Sequence, residues 1–243
     1  MSPELRSFGR LLTVQASWNY ERMSGLGLGY AMEPLLADLA ASDPTRSGEA
    51  TLRSAGFFNS HPYLAGIAAG AEVRAEYDGV DGGQIERLRS ALCSPLGALG
   101  DQLFWAGLWP ALIAAALIAV VFGAGWVAPV TAVGVMVLVR LWVTRWALRT
   151  GLRSGMQVGA ALQRTRLRAW IPPAGLVAAV LVGAAVPLVA GAEDGVRGGP
   201  AWVGVLVAAV GVVVGQRKLV RITGVGFGLA ALAAGCLIKL AVG

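Results

Sequence analysis

Histidine occurs once in the chain, at position 61, and cysteine twice, at 93 and 236. A single imidazole does not build a His-based metal site, so no metal is expected. Two thiols so far apart do not make a disulfide framework. Charge is sparse too: Asp, Glu, Lys and Arg supply 14% of the residues, where soluble domains average about 25%. No charged side chain stands between Asp101 and Arg140. The first 20 residues hold no continuous apolar core, so no cleaved signal peptide is expected there. Paired carboxylates on one helix, a thiolate motif and a histidine cluster are all missing. That leaves no catalytic constellation, and the expectation is a non-enzyme with no cofactor.

What the chain has in abundance is apolar sequence, 56% of it, and 34 glycines. Glycine at that level suits helices packing closely in lipid. The net charge is +6. In a soluble protein that excess would raise the question of nucleic acid. Here the basic residues gather at the ends of apolar runs, as membrane topology dictates. No nucleic-acid module matches, so no nucleic-acid partner is expected.

Residues 94–110, SPLGALGDQLFWAGLWP, organise the rest. The apolar run that follows Asp101, wound at ~1.5 Å per residue, would be about 57 Å long, nearly twice a ~30 Å hydrocarbon core. It therefore reads as two crossings, with the break in 122–129, FGAGWVAP, where Gly123, Gly125 and Pro129 weaken a helix. Asp101 then sits at the mouth of a membrane pair. It is either the cap of a helix starting there or a carboxylate held at membrane depth for a purpose. Asp101, Gln102 and Trp105 together would suit a sugar: carboxylate and amide for hydroxyls, an indole face for the C–H side of the ring. Trp105 and Trp109 equally fit an interfacial belt.

Upstream, Phe8, Leu11, Leu12 and Gln15 have rough helical spacing and suggest an amphipathic helix at the membrane face. In SWNYERM, 17–23, Glu21 and Arg22 are either a neutralised, partly buried pair or a wetted patch. Gly25, Gly27 and Gly29 do not follow the dinucleotide-loop spacing and no strand precedes them, so they read as close helix packing. Residues 41–54 read as a polar loop. In 56–72, GFFNSHPYLAGIAAGAE, a helix is expected from Pro62, with Asn59 or Ser60 near its cap. Gly66 and Gly70 are spaced for close approach of a neighbouring helix. The apolar run 63–71 is too short to cross a bilayer and reads as a re-entrant or half-buried helix. Asn59 and His61 are either capping residues or the lining of a polar cavity at a helix terminus. Residues 72–90 read as charged and exposed, with a short helix at 84–92, and Ser94–Pro95 as a break.

Downstream, seven arginines (Arg140, Arg145, Arg149, Arg153, Arg164, Arg166 and Arg168) stand with no acid among them. Such a cluster beside membrane segments places 140–168 in the cytoplasm. Topology alone accounts for it; docking of an acidic partner or of anionic headgroups is the sharper alternative. Pro172–Pro173 is expected to end that segment. Spans follow at 174–192, 201–215 and 222–242, with 193–200 outside, Arg217, Lys218 and Arg221 inside, and Lys239 snorkelling near the outer end. The fold class is thus an all-α integral membrane protein, a polytopic helical bundle with amphipathic and re-entrant N-terminal helices. Its regions are 1–101, N-terminal; 102–143, two crossings; 144–173, Arg-rich and cytoplasmic; and 174–243, three transmembrane helices with the C-terminus outside.

Four blocks carry a family resemblance: SWNYERM, FFNSHPYLAGIAAGAE, SPLGALGDQLFW and RLWVTRWALRTGLRSG, in order from 17 to 158. The chain resembles the IID component of the mannose/fructose/sorbose family of the sugar phosphotransferase system. Two positions depart from the family pattern. Trp109 stands where an arginine is usual, and Gln102 where Pro or Ser is common. The resemblance implies a membrane subunit that pairs with a IIC chain in the bacterial inner membrane, several IIC–IID pairs forming one oligomer in the lipid bilayer. Cytoplasmic IIA and IIB proteins would carry the phosphoryl group to a hexose-type sugar as it is delivered inward, and the IID chain would hold no phosphoryl group itself. Candidate substrate-binding residues are Asn59, His61, Asp101, Gln102 and Trp105. The alternative is a non-transporting scaffold or regulator descended from such a permease.

Overall fold

The computed structural model describes residues 1–193, and among these every regular element is a helix. The expectations for 194–243, including the spans at 201–215 and 222–242, Lys239 and the outside C-terminus, lie outside the described residues. Helix α1 covers Pro3–Leu11, α2 Gly25–Ser42, α3 Pro44–Ser54, α4 Ala65–Tyr77 and α5 Gly82–Gly100. A π-helical stretch, Asp101–Leu108, leads without interruption into α6, Trp109–Ala119, and a second one, Val120–Ala124, follows. Then come α7, Val127–Ser154, a 3₁₀ turn at Gly155–Gln157, α8, Val158–Arg164, and α9, Leu167–Glu193.

Three helical runs are long and apolar enough to cross a membrane: Gly82–Ala124, Val127–Arg164 and Leu167–Val186. The first two are separated at Gly123 and Gly125, whose φ angles of +96° and +55° suit glycine and disfavour a side chain. The chain turns there, inside the 122–129 window where the apolar run was expected to break.

Two compact units partition the chain. The first comprises Met1–Asp101 and Val137–Arg168; the second begins with Gln102–Met136 and takes up the chain again at Ala169. The first has a core centred on α4. Tyr63, Leu64, Ile67, Ala68, Ala69 and Val73 are all buried, as are Leu28, Met32 and Leu36 of α2 and Leu148 of α7. Small residues set the spacing. A Cβ on Gly70 would lie 2.5 Å from the Leu148 carbonyl oxygen, and one on Gly151 would lie 2.3 Å from that of Ile67. The expected close approach at Gly66 and Gly70 is therefore a backbone-to-backbone crossing of α4 and α7. On α2, a Cβ on Gly27 would lie 2.0 Å from the Val14 carbonyl oxygen, which makes the glycine run a packing face.

Several expectations are corrected. Residues 44–54 are helical, because Asp43 accepts the Arg46 N–H at 3.0 Å and Pro44 occupies the first turn, where its missing N–H costs nothing. The Asp-Pro pair that reads as a turn is a helix start. Helix α4 begins at Ala65, three residues after Pro62, since 62–64 form a turn whose last N–H, that of Leu64, donates to the His61 carbonyl at 3.0 Å. Residues 72–90 are not uniformly exposed: Glu72, Glu76 and Arg89 are buried. Arg89 donates to both Glu72 oxygens, and Arg46 and Arg53 both pair with Glu76 at 2.9 Å. Neither Pro95 nor Pro172–Pro173 breaks its helix; the first lies inside α5 and the pair inside α9. Helices packed among neighbours tolerate proline where the freed carbonyl finds another partner. The arginine cluster is partly compensated, since Arg149 pairs with Glu4 of α1 at 2.6 Å.

Candidate functional site

Asp101 follows the last residue of α5 and begins the π-helical stretch, so it lies within a continuous helical run and does not start one. It therefore caps no helix start. The side chain is exposed. Wide helical turns of this kind concentrate at functional positions because they shift the register of the side chains that follow. Gln102 and Trp105 lie on the same stretch and are exposed, while Leu103, Phe104 and Gly107 are buried. Gly107 packs onto α9, where a Cβ would stand 3.0 Å from that of Ala174.

Asn59 is exposed on the loop before α4, and His61, two residues on, is 2% exposed. His61 Nδ1 accepts the Tyr63 N–H at 3.3 Å. The two rings meet edge to face with centroids 4.8 Å apart. On its other side the imidazole rests on Gly100, where a Cβ would stand 2.2 Å from the His61 Cβ. The loop continues along α5, since a Cβ on Gly97 would lie 3.9 Å from the Ser60 Cα. Burial, aided by the Arg140 charge, pushes the His61 pKa down to about 4, so the ring is neutral near pH 7.

Arg140 joins this cluster from α7. Its guanidinium donates to the Leu12 carbonyl and stands 5.6 Å from the Tyr63 ring centroid. The sequence marks Arg140 only as the first of a topological cluster; in the fold it is half-buried and tied to the Leu12 carbonyl. Asn59, His61 and Asp101 belong to the first unit, and Gln102 and Trp105 to the second. Glu21 and Arg22 are both well exposed and 3.8 Å apart, a surface pair. Among the described residues no three His, Cys, Asp or Glu side chains gather as a metal would require.

Comparison with known proteins finds relatives of the whole chain and of parts of it. The model of the PTS system mannose/fructose/sorbose family IID component matches residues 4–193. Over 112 residues the chain is 33% identical to the PTS system mannose-specific EIID component of Escherichia coli (strain K12), a stretch covering 44% of this chain and 40% of that protein. Over 103 residues it is 34% identical to the Fructose permease IID component of Bacillus subtilis (strain 168), covering 40% of this chain and 37% of that one. The matched stretches thus span about two fifths of the length of these curated relatives. Among solved structures, the cryo-EM structure of the mannose transporter ManYZ with microcin E492 contains a chain that superimposes with a TM-score of 0.59 at 21% identity. That superposition covers 98% of this chain and 94% of the other, and at such identity it speaks to the fold alone.

Proposed function

Because this chain belongs to the PTS system mannose/fructose/sorbose IID-component family, we propose that it is the IID membrane subunit of a sugar permease, paired with a IIC chain in the bacterial inner membrane. The sugar is of hexose type, IIA and IIB proteins phosphorylate it, and this chain contributes passage and binding without chemistry of its own. The observation that carries the reading is the family match over 4–193, which spans all the described helices, including the three apolar runs. In this reading residues 102–143 make two crossings, 144–173 face the cytoplasm, and three spans from 174 onward leave the C-terminus outside. Exposed arginines 145, 153, 164, 166 and 168 support the cytoplasmic placement. Asn59, Asp101, Gln102 and Trp105 are each proposed as sugar contacts, whereas His61 is buried against Gly100. Several IIC–IID pairs make up the working oligomer.

The test is phosphoenolpyruvate-dependent sugar uptake by cells holding the IIC, IIA and IIB proteins, with and without this chain. Uptake should require the chain; uptake unchanged by its deletion overturns the proposal. A second reading, a non-transporting scaffold or regulator, rests on Trp109, whose indole N–H is buried with no hydrogen-bond partner among the described residues. An uncharged side chain there cannot do what the family's arginine does. Sugar binding by the purified pair separates the readings, since a scaffold would show none.

A further inference from the structure

His61 packs directly against Gly100, next to one of the proposed sugar residues. The space that a side chain at position 100 would need is filled by the imidazole, with Cβ and Cγ at 2.2 and 2.3 Å from an ideal Cβ. Position 100 is the last residue of α5 and directly precedes Asp101, where the helix widens into its π-helical stretch. His61 is held by three further contacts: its ring Nδ1 accepts the Tyr63 N–H, its backbone carbonyl accepts the Leu64 N–H, and its ring meets that of Tyr63 edge to face. Tyr63 in turn lies under Arg140, which is itself tied to the Leu12 carbonyl. A chain of contacts therefore runs from the backbone after α1, through α7 and the loop before α4, to the backbone immediately before Asp101. All of it lies within the first unit.

From this geometry we infer that His61 is a positioning residue: its ring, seated on Gly100, sets the direction in which Asp101 presents its carboxylate, and so tunes how tightly the sugar is held. This rests on the reading of Asp101 as a sugar contact. The His61 ring is sealed and does not touch the sugar. It acts by excluding every other placement of the last turn of α5. Binding groups lose much of their value when displaced by more than about 0.5 Å, and relief of the contact at Gly100 would permit a shift of that order.

Two measurements test it on the full complex of this chain with its IIC partner. In the first, Cys93 and Cys236 are replaced by serine, Asp101→Cys is introduced, and the rate of maleimide labelling in membranes is followed with and without His61→Ala, His61→Gln or Gly100→Ala. His61→Ala and Gly100→Ala should change the rate by about threefold or more, and His61→Gln, whose amide oxygen can accept the Tyr63 N–H, should restore it. In the second, Asp101 is kept and uptake is measured against sugar concentration. His61→Ala should raise KM about tenfold, equivalent to ~1.4 kcal/mol of binding, with maximal uptake per copy in the membrane little changed. A structural role alone would lower the number of copies and leave KM as it was. Should Gly100→Ala fail to reach the membrane, His61→Ala and His61→Gln decide the matter. An unchanged labelling rate, or an unchanged KM in His61→Ala, overturns the inference while leaving the permease reading intact. A wild-type complex that takes up no sugar sinks the permease reading, and this inference with it.

Discussion

Arg89 of α5 and Glu72 of α4 form an ion pair closed off from solvent, the Arg89 Nε standing 3.1 Å from both carboxylate oxygens. A second guanidinium nitrogen reaches the Gly56 carbonyl at 3.2 Å. Removing one member strands the other as a buried charge, which typically costs ~3–5 kcal/mol. Arg89→Leu is therefore expected to lower the melting temperature of the purified chain sharply. The double variant Arg89→Leu, Glu72→Leu should recover a good part of the loss. Arg74→Leu, which breaks the exposed Arg74–Asp78 pair, should hardly move it.

The crossing of α4 and α7 gives a second expectation. Gly70 meets the Leu148 carbonyl and the Leu152 N–H with no room for a Cβ. Both obstacles are backbone, so they cannot rotate away. Gly70→Leu should destabilise the first unit by at least the ~1–3 kcal/mol usual for overpacking, and Gly151→Leu should do the same from the other side. Gly48, whose Cβ would meet nothing within 4 Å, serves as the control. Limited proteolysis of the three variants in detergent would rank them.

Under the permease reading, Asp101→Asn and Asn59→Ala should each reduce sugar uptake by about tenfold or more, the scale of one or two lost hydrogen bonds to a polar ligand. Both residues are exposed, so the amount of chain in the membrane should stay near that of the wild type. Normal transport by both would show that neither side chain meets the sugar.

Acid should weaken the fold through His61. Its pKa is near 6.5 in an unfolded chain and about 4 in the folded one. The depressed value means that the unfolded state binds the proton first. Stability from this group is thus complete above about pH 6.5 and is lost as the pH falls through that value towards 4. Arg140 is the charged group that faces it and adds to the penalty on protonation. Comparing the pH dependence of unfolding in wild type and His61→Gln isolates the effect: the difference between them should narrow from pH 7 to pH 4.5. A constant difference would show that folding leaves the proton affinity of the imidazole unchanged.

Much of the helical plan was readable because it rests on local rules. The uncharged run after Asp101 had to be divided, and glycine marks the place. Gly66 and Gly70 announced a close neighbour, though not that Leu148 and Gly151 supply it, since nothing local links residues eighty apart. The errors are of two kinds. Residues 41–54 read as a loop and Pro95 and Pro172–Pro173 as breaks, whereas Asp43 and Pro44 start a helix and packing within the fold sustains the others. Glu72, Glu76 and Arg89 looked like a wetted stretch because charge suggests water; their partners come from three different helices and become visible only in three dimensions. His61 showed the same limit. Its type was legible, but its burial against Gly100 was not.

The first unit is discontinuous in sequence: residues up to Asp101 are completed only by Val137–Arg168. On the ribosome, α4 emerges long before α7, so the groove at Gly66 and Gly70 stays open while an entire hydrophobic hairpin is synthesised and inserted. Nascent chains that stop before Leu148 would expose that groove to whatever insertion factor or chaperone is at hand.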